Sequence, residues 1–92
     1  MKHAGPAALD RIESLLKEIR KREGLKEKTR GNFYRGSRAF LHFHEHGEVE
    51  FYADIRLADD FERLRATTVA ERAKLLRLID KSLNDGNGRR AR

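Results

Sequence analysis

His42-Phe43-His44-Glu45-His46 sets imidazoles at alternate positions. In an extended chain, His42 and His44 project from one face with Cα atoms about 7 Å apart, near enough to share an ion. A glutamate from the facing strand, Glu48 or Glu50, would complete a set of two histidines and one carboxylate, which suits zinc or iron. The metal candidates are therefore His42, His44 and Glu50. The competing account is a half-exposed strand whose histidines balance acids across a sheet.

A second chemistry lies just upstream. Arg20, Lys21, Arg22, Lys26, Lys28, Arg30, Arg35 and Arg38 stand against only Glu23 and Glu27, a local charge of +6. With Phe33 and Tyr34 to stack bases and Arg89, Arg90 and Arg92 near the C-terminus, this segment could contact nucleic acid. No helix-turn-helix pattern, RNA-binding aromatic motif or zinc-finger spacing accompanies it. From Ala39 to Ala66 the balance is −4, so the two segments could equally neutralise each other. Catalysis has less to stand on. There is no Cys, no Gly-x-Ser-x-Gly turn and no Gly-rich phosphate loop, which points to a non-enzymatic domain with no cofactor.

The histidines sit in Ser37 to Leu57, two alternating runs about a turn. Ala39, Leu41 and Phe43 share one side of the first run; Val49, Phe51, Ala53, Ile55 and Leu57 share one side of the second. A three-residue loop Glu45-His46-Gly47, with Gly47 left-handed, would pair His44 with Glu48, Phe43 with Val49, His42 with Glu50, Leu41 with Phe51, Phe40 with Tyr52 and Arg38 with Asp54. A two-residue loop would turn apolar side chains to the wrong face. Phe40, His42, His44, Glu48, Glu50, Tyr52, Asp54 and Arg56 then form an open face suited to an unknown protein partner or a second copy of the chain.

Flanking elements cover the other side. Leu9, Ile12, Leu15, Leu16 and Ile19 recur at helical spacing, predicting one amphipathic helix over Pro6 to Glu23, ended by Gly24. Lys26 to Arg30 reads as a polar connector, Asn32 to Arg35 as a short strand and Phe61 to Ala66 as a fourth strand. Thr68-Val69-Ala70-Glu71 is a capping box for a helix to about Leu83, which Asn84-Asp85-Gly86 would stop. The expected fold is α+β: helix, three- or four-stranded antiparallel meander, helix, with both helices on the Leu41/Phe51 face of a two-layer sandwich. Residues 1–5 should be loose, 6–84 one domain and 85–92 a disordered Arg-rich tail.

The chain has 92 residues, 38% hydrophobic and 39% charged, with net charge +6. That allows one domain with a small core and an ionic surface. The lack of Cys, of an apolar run of the ~20 residues a membrane helix needs, and of a signal-peptide apolar region points to a cytoplasmic protein without a membrane partner.

Gly31 to Glu45 (GNFYRGSRAFLHFHE), Tyr52 to Leu57 (YADIRL), Phe61 to Leu64 (FERL) and Thr67 to Arg72 (TTVAER) together resemble a family of short bacterial α+β proteins of unassigned activity. The resemblance spans roughly Leu9 to Leu83. It implies a small sheet between an N-terminal helix and a Thr-Thr-capped C-terminal helix, and a cytoplasmic location. It implies no ligand.

Overall fold

The computed structural model describes residues 1–90, with side chains through residue 84. The order is β1 (Lys2–His3), α1 (Pro6–Arg11), α2 (Glu13–Arg20), β2 (Lys26–Thr29), β3 (Asn32–Arg35), β4 (Arg38–His46), β5 (Glu50–Arg56), β6 (Phe61–Arg65) and α3 (Val69–Arg90). The fold is α+β, with an antiparallel sheet in the order β2-β3-β4-β5-β6 and β1 added on β4. Because β5 occupies one edge of β4 over Leu41 to His46, β1 lies on the other edge, in line with β3. No helix among the described residues is long and apolar enough to cross a membrane.

Leu9, Ile12, Leu15, Leu16 and Ile19 form one buried cluster with Phe33, Leu41, Phe43, Phe51, Ala53 and Ile55 of the sheet and Leu75 and Ile79 of α3. The helical stripe and the apolar flank of the hairpin therefore meet as their spacing implied. The expected single N-terminal helix is two: Ile12, at φ −109° and ψ 19°, separates α1 from α2 and is completely buried. No Gly or Pro marks that joint in the sequence.

The Lys26 to Arg30 connector contains a strand. Glu27 faces Phe33 and Thr29 faces Asn32 around Gly31, whose φ of +82° closes the turn and whose N–H donates to Glu27 Oε2 at 2.8 Å. Three of its four residues are exposed, so this edge strand has no apolar alternation, and its lysines discourage further pairing. Residues 1–5, expected loose, carry β1: Lys2 faces Glu45 and His3 faces His44. Ala4 N–H donates to Phe43 O at 3.1 Å, and Gly5 N–H to Glu45 Oε2 at 2.8 Å. The fourth strand of the meander forms as β6, paired along its length with β5.

The hairpin register differs from the expected one. His42 faces Asp54, Phe43 faces Ala53, His44 faces Tyr52 and His46 faces Glu50. The loop is again three residues, but Gly47 (φ +67°) opens it and Glu48 and Val49 follow. This displacement of two residues at the turn moves each cross-strand partner by four. An even slip leaves every side chain on its original face, so the alternation of apolar residues cannot detect it. Two positions change character: Glu48 lies in the turn rather than on the open face, and Val49 is 69% exposed rather than packed against Phe43.

Phe40 also departs from the open face. Between Phe33↔Leu41 and Tyr34↔Ala39 the ladder shifts by one, a bulge that inserts Phe40 into β4. A bulge sets two successive side chains toward similar directions. Phe40 and Leu41 are accordingly both buried, and Phe40 faces a cleft walled by Leu78 and Ser82 of α3.

The capping box forms as its spacing predicts. Glu71 N–H donates to Thr68 Oγ1 at 3.1 Å, and the Thr67 and Thr68 amides both donate to Glu71 Oε1 at 3.0 Å. The Thr68 amide foremost, then that of Thr67 and Arg65, holds the Glu71 carboxyl at about 2, below its ordinary 4.5. Since the folded value lies below the unfolded one, this stabilisation is complete above about pH 4.5 and is lost as pH falls toward 2. Glu71→Gln should therefore be less stable than the parent at neutral pH, with the gap closing through that window in denaturant titrations at stepped pH. A gap independent of pH would mean the carboxylate charge is immaterial. α3 extends past its expected end near Leu83; the expected tail 85–92 lies outside the described side chains.

Candidate metal centre

The four-residue displacement assembles the histidine face around an acid other than the expected one. Asp54, directly across from His42, supplies the carboxylate, while Glu50 sits at the turn end opposite the exposed His46. Single ligand atoms of His42, His44 and Asp54 all lie within 4.8 Å of one another. His42 Nε2 is 3.1 Å and His44 Nε2 3.0 Å from Asp54 Oδ2.

A third imidazole joins them. Pairing of β1 with β4 lays the His3 ring on His44, with centroids 4.6 Å apart, and brings it to 5.5 Å from His42. Phe61 of β6 closes the other side, its ring 5.1 Å from His42. Three histidines and one aspartate thus converge from three strands. His3 stands far from the HxH pattern in sequence, in a two-residue strand too short to show a period, so nothing local marks it.

His44 is the unusual member. It is 9% exposed, and neither Nδ1 nor Nε2 has a hydrogen-bond partner among the described residues. The approach to Asp54 Oδ2 is short but does not align as a hydrogen bond. Burying polar atoms without partners costs roughly 1–3 kcal/mol, so such groups are rare unless strain, an ordered water, an ion or a ligand accounts for them.

The protonation states suit metal ligation. Burial, outweighing the attraction of Asp54, holds His42 below the ordinary imidazole value and favours the neutral ring. The Arg63 hydrogen bond, foremost, holds the Asp54 carboxyl below its usual range and keeps it ionised. Neutral imidazole and ionised carboxylate are the forms that coordinate. Arg63 competes, since Nε reaches Oδ1 at 2.8 Å and Nη2 reaches Oδ2 at 3.0 Å. Its side chain is 47% exposed and can release Oδ2 into water while keeping Oδ1.

Of the remaining residues expected on the open face, Glu50, Tyr52, Asp54 and Arg56 share the strand positions of the histidine face. Asp54 is buried like His44 and the other three are half-buried, so this face is less open than expected. The basic segment does not form one free surface. Arg20 pairs with Glu13 and Glu27, Lys21 with Glu18, Arg22 with Asp80, and Arg30 with Asp10 and Glu13. Lys28 lies over the Tyr34 ring at 4.3 Å. Lys26 is exposed on the edge strand, whereas Arg35 and Arg38 turn toward the α3 cleft. Acids mostly outside residues 20–38, namely Asp10, Glu13, Glu18 and Asp80, thus pair with half of the proposed nucleic-acid contacts. Comparison with family models, curated proteins and solved structures finds no match to this chain.

Proposed function

We propose that this protein is a small, non-enzymatic, cytoplasmic metal-binding module that holds one divalent transition ion, zinc by donor type, through His42, His44 and Asp54, with His3 as the fourth ligand. The reading takes the domain as a two-layer sandwich whose helices cover the Leu41/Phe51 face and leave the histidine face without a helix. The observation that carries it is the buried His44 ring, whose two nitrogens lack partners beside an ionised carboxylate and a second, neutral imidazole. Three imidazoles and a carboxylate match the four-coordinate preference of zinc. Ligand atoms of His42, His44 and Asp54 already lie within 4.8 Å of one another, and His3 would join by turning its ring out of its stack on His44.

Untagged, chelator-treated protein titrated with zinc in a calorimeter should bind one equivalent. Cobalt should give the visible absorption of a tetrahedral site. At a free concentration 100 times Kd, zinc should add about 2.7 kcal/mol of stability. Absence of both heat and thermal shift would overturn the reading. Arg63 provides a test of sign: removing a cation that competes for Asp54 Oδ2 should make Arg63→Gln bind zinc more tightly, by up to roughly tenfold (~1.4 kcal/mol). If the cluster were only a hydrogen-bonded support, that variant would lose stability and gain no affinity.

A further inference from the structure

Arg20, Arg22, Arg30, Arg63 and Arg65 are all ion-paired. Arg35, Arg38 and Arg56 are not, nor is Lys81, among the described residues, and these four line one cleft of about 620 Å3. The cleft lies between α3 and the sheet end formed by the β3–β4 and β5–β6 turns. Asp59 is the one acid among its lining residues, so the wall carries a clear positive excess.

The cleft also has a hydrophobic side. Phe40, turned inward by the bulge and 2% exposed, lines it with Leu57 and Leu78. Arg56 is held in place, with Nε donating to Ala39 O at 2.8 Å and Nη1 to Asp59 O at 2.7 Å. Arg35 lies 5.7 Å from the Phe40 ring centroid and 3.4 Å from Ser82 Oγ. Four cations gathered around a single acid repel one another, and guanidinium forks fit phosphate oxygens in paired hydrogen bonds. The volume falls within the ~300–1,000 Å3 of small-molecule sites.

We propose that this cleft is a second binding site, independent of the metal centre, for a small organic phosphate with a flat or apolar body. The phosphate would lie among Arg35, Arg38 and Lys81, and the body against Leu57 and Leu78, which are partly exposed. A small molecule fits better than a nucleic-acid strand, because the cations that would continue the track, Arg20, Arg22 and Arg30, are consumed by ion pairs.

The test is an amide NMR titration at low salt with phenyl phosphate and AMP, beside phenol and adenosine. Saturable shifts confined to residues 35–40, 57–59 and 78–82 are expected for the phosphates, with the uncharged compounds at least roughly tenfold weaker. Arg38 and Lys81 are exposed and hold no structural contact among the described residues, so Arg38→Gln and Lys81→Gln should fold normally and each weaken phenyl phosphate roughly three- to tenfold. The proposal is overturned if the phosphates leave these amides unmoved, if phenol binds as well as phenyl phosphate, or if both variants bind like the parent. Tight binding of a single-stranded oligonucleotide with shifts spreading over residues 20–30 would also overturn it, in favour of a nucleic-acid interface.

Discussion

His44→Leu should weaken zinc binding at least about a hundredfold and make the metal-free protein more stable. Both effects follow from one observation, the burial of two imidazole nitrogens without hydrogen-bond partners. In the metal-free state Nδ1 has no partner and Nε2 has only a misaligned approach to Asp54 Oδ2, at a cost of roughly 1–3 kcal/mol. Leucine fills similar space without polar atoms, so that cost disappears while Phe43 and Phe51 behind the sheet remain undisturbed. A gain of even 1 kcal/mol should raise Tm by about 4–8 °C in a domain of this size. Removing the most buried imidazole should weaken zinc binding by at least about two orders of magnitude, comparable with the loss of a strong coordinating interaction. Thermal melts with and without zinc check both parts. A retained zinc shift ends the metal reading. A metal-free variant that melts lower than the parent would mean that the His44 nitrogens are satisfied in solution and that its ring contributes as packing.

Phe40→Ala should be among the most damaging single changes on the sheet, and Val49→Ala nearly neutral. Alternation alone assigns them the opposite ranks, with Phe40 outward and Val49 paired against Phe43. The bulge in β4 buries Phe40 to 2% exposure, and the turn at Gly47 leaves Val49 69% exposed. Truncating a buried phenylalanine costs about 3–5 kcal/mol, the transferred surface plus the cavity it leaves. Against a total stability of ~5–15 kcal/mol this is a large share, and Tm should fall by roughly 12–40 °C. An exposed turn valine should change stability by no more than about 0.5 kcal/mol. Denaturant unfolding of the two variants decides it: equal effects, or a larger one for Val49, would mean the bulge and the displaced loop are absent in solution. Phe40→Ala also removes the floor of the proposed anion cleft, so the NMR test relies on Arg38 and Lys81, which leave the fold intact.

The residues that coordinate in the proposed centre were only partly legible. His42 and His44 declare themselves by type and spacing. Asp54 belonged to the expected open face but stood opposite Arg38, because Leu41 with Phe51 and Leu41 with Ile55 are equally apolar pairings. Nothing within the hairpin prefers one to the other. His3 gave no signal, since a two-residue strand has no period and its place depends on the free edge of β4 beyond β3. The pairing of the basic segment was hidden for a related reason: its partner acids Asp10, Glu13, Glu18 and Asp80 come from helices outside the counted window or from across the core.

Local chemistry in the chain itself determined which flank of the β4–β5 hairpin is apolar away from Phe40, where α3 is capped, where the helical stripe runs, and that the fold is α+β. These depend on period, on propensity and on hydrogen bonds spanning three or four residues, all of which are written locally. Tertiary structure alone decided the cross-strand partners, the bulge at Phe40, the polar edge strand β2 and the docking of β1 that completes the histidine cluster. Each turns on which of several locally equivalent pairings lets distant segments share one core, and a period of two carries no information about an even slip.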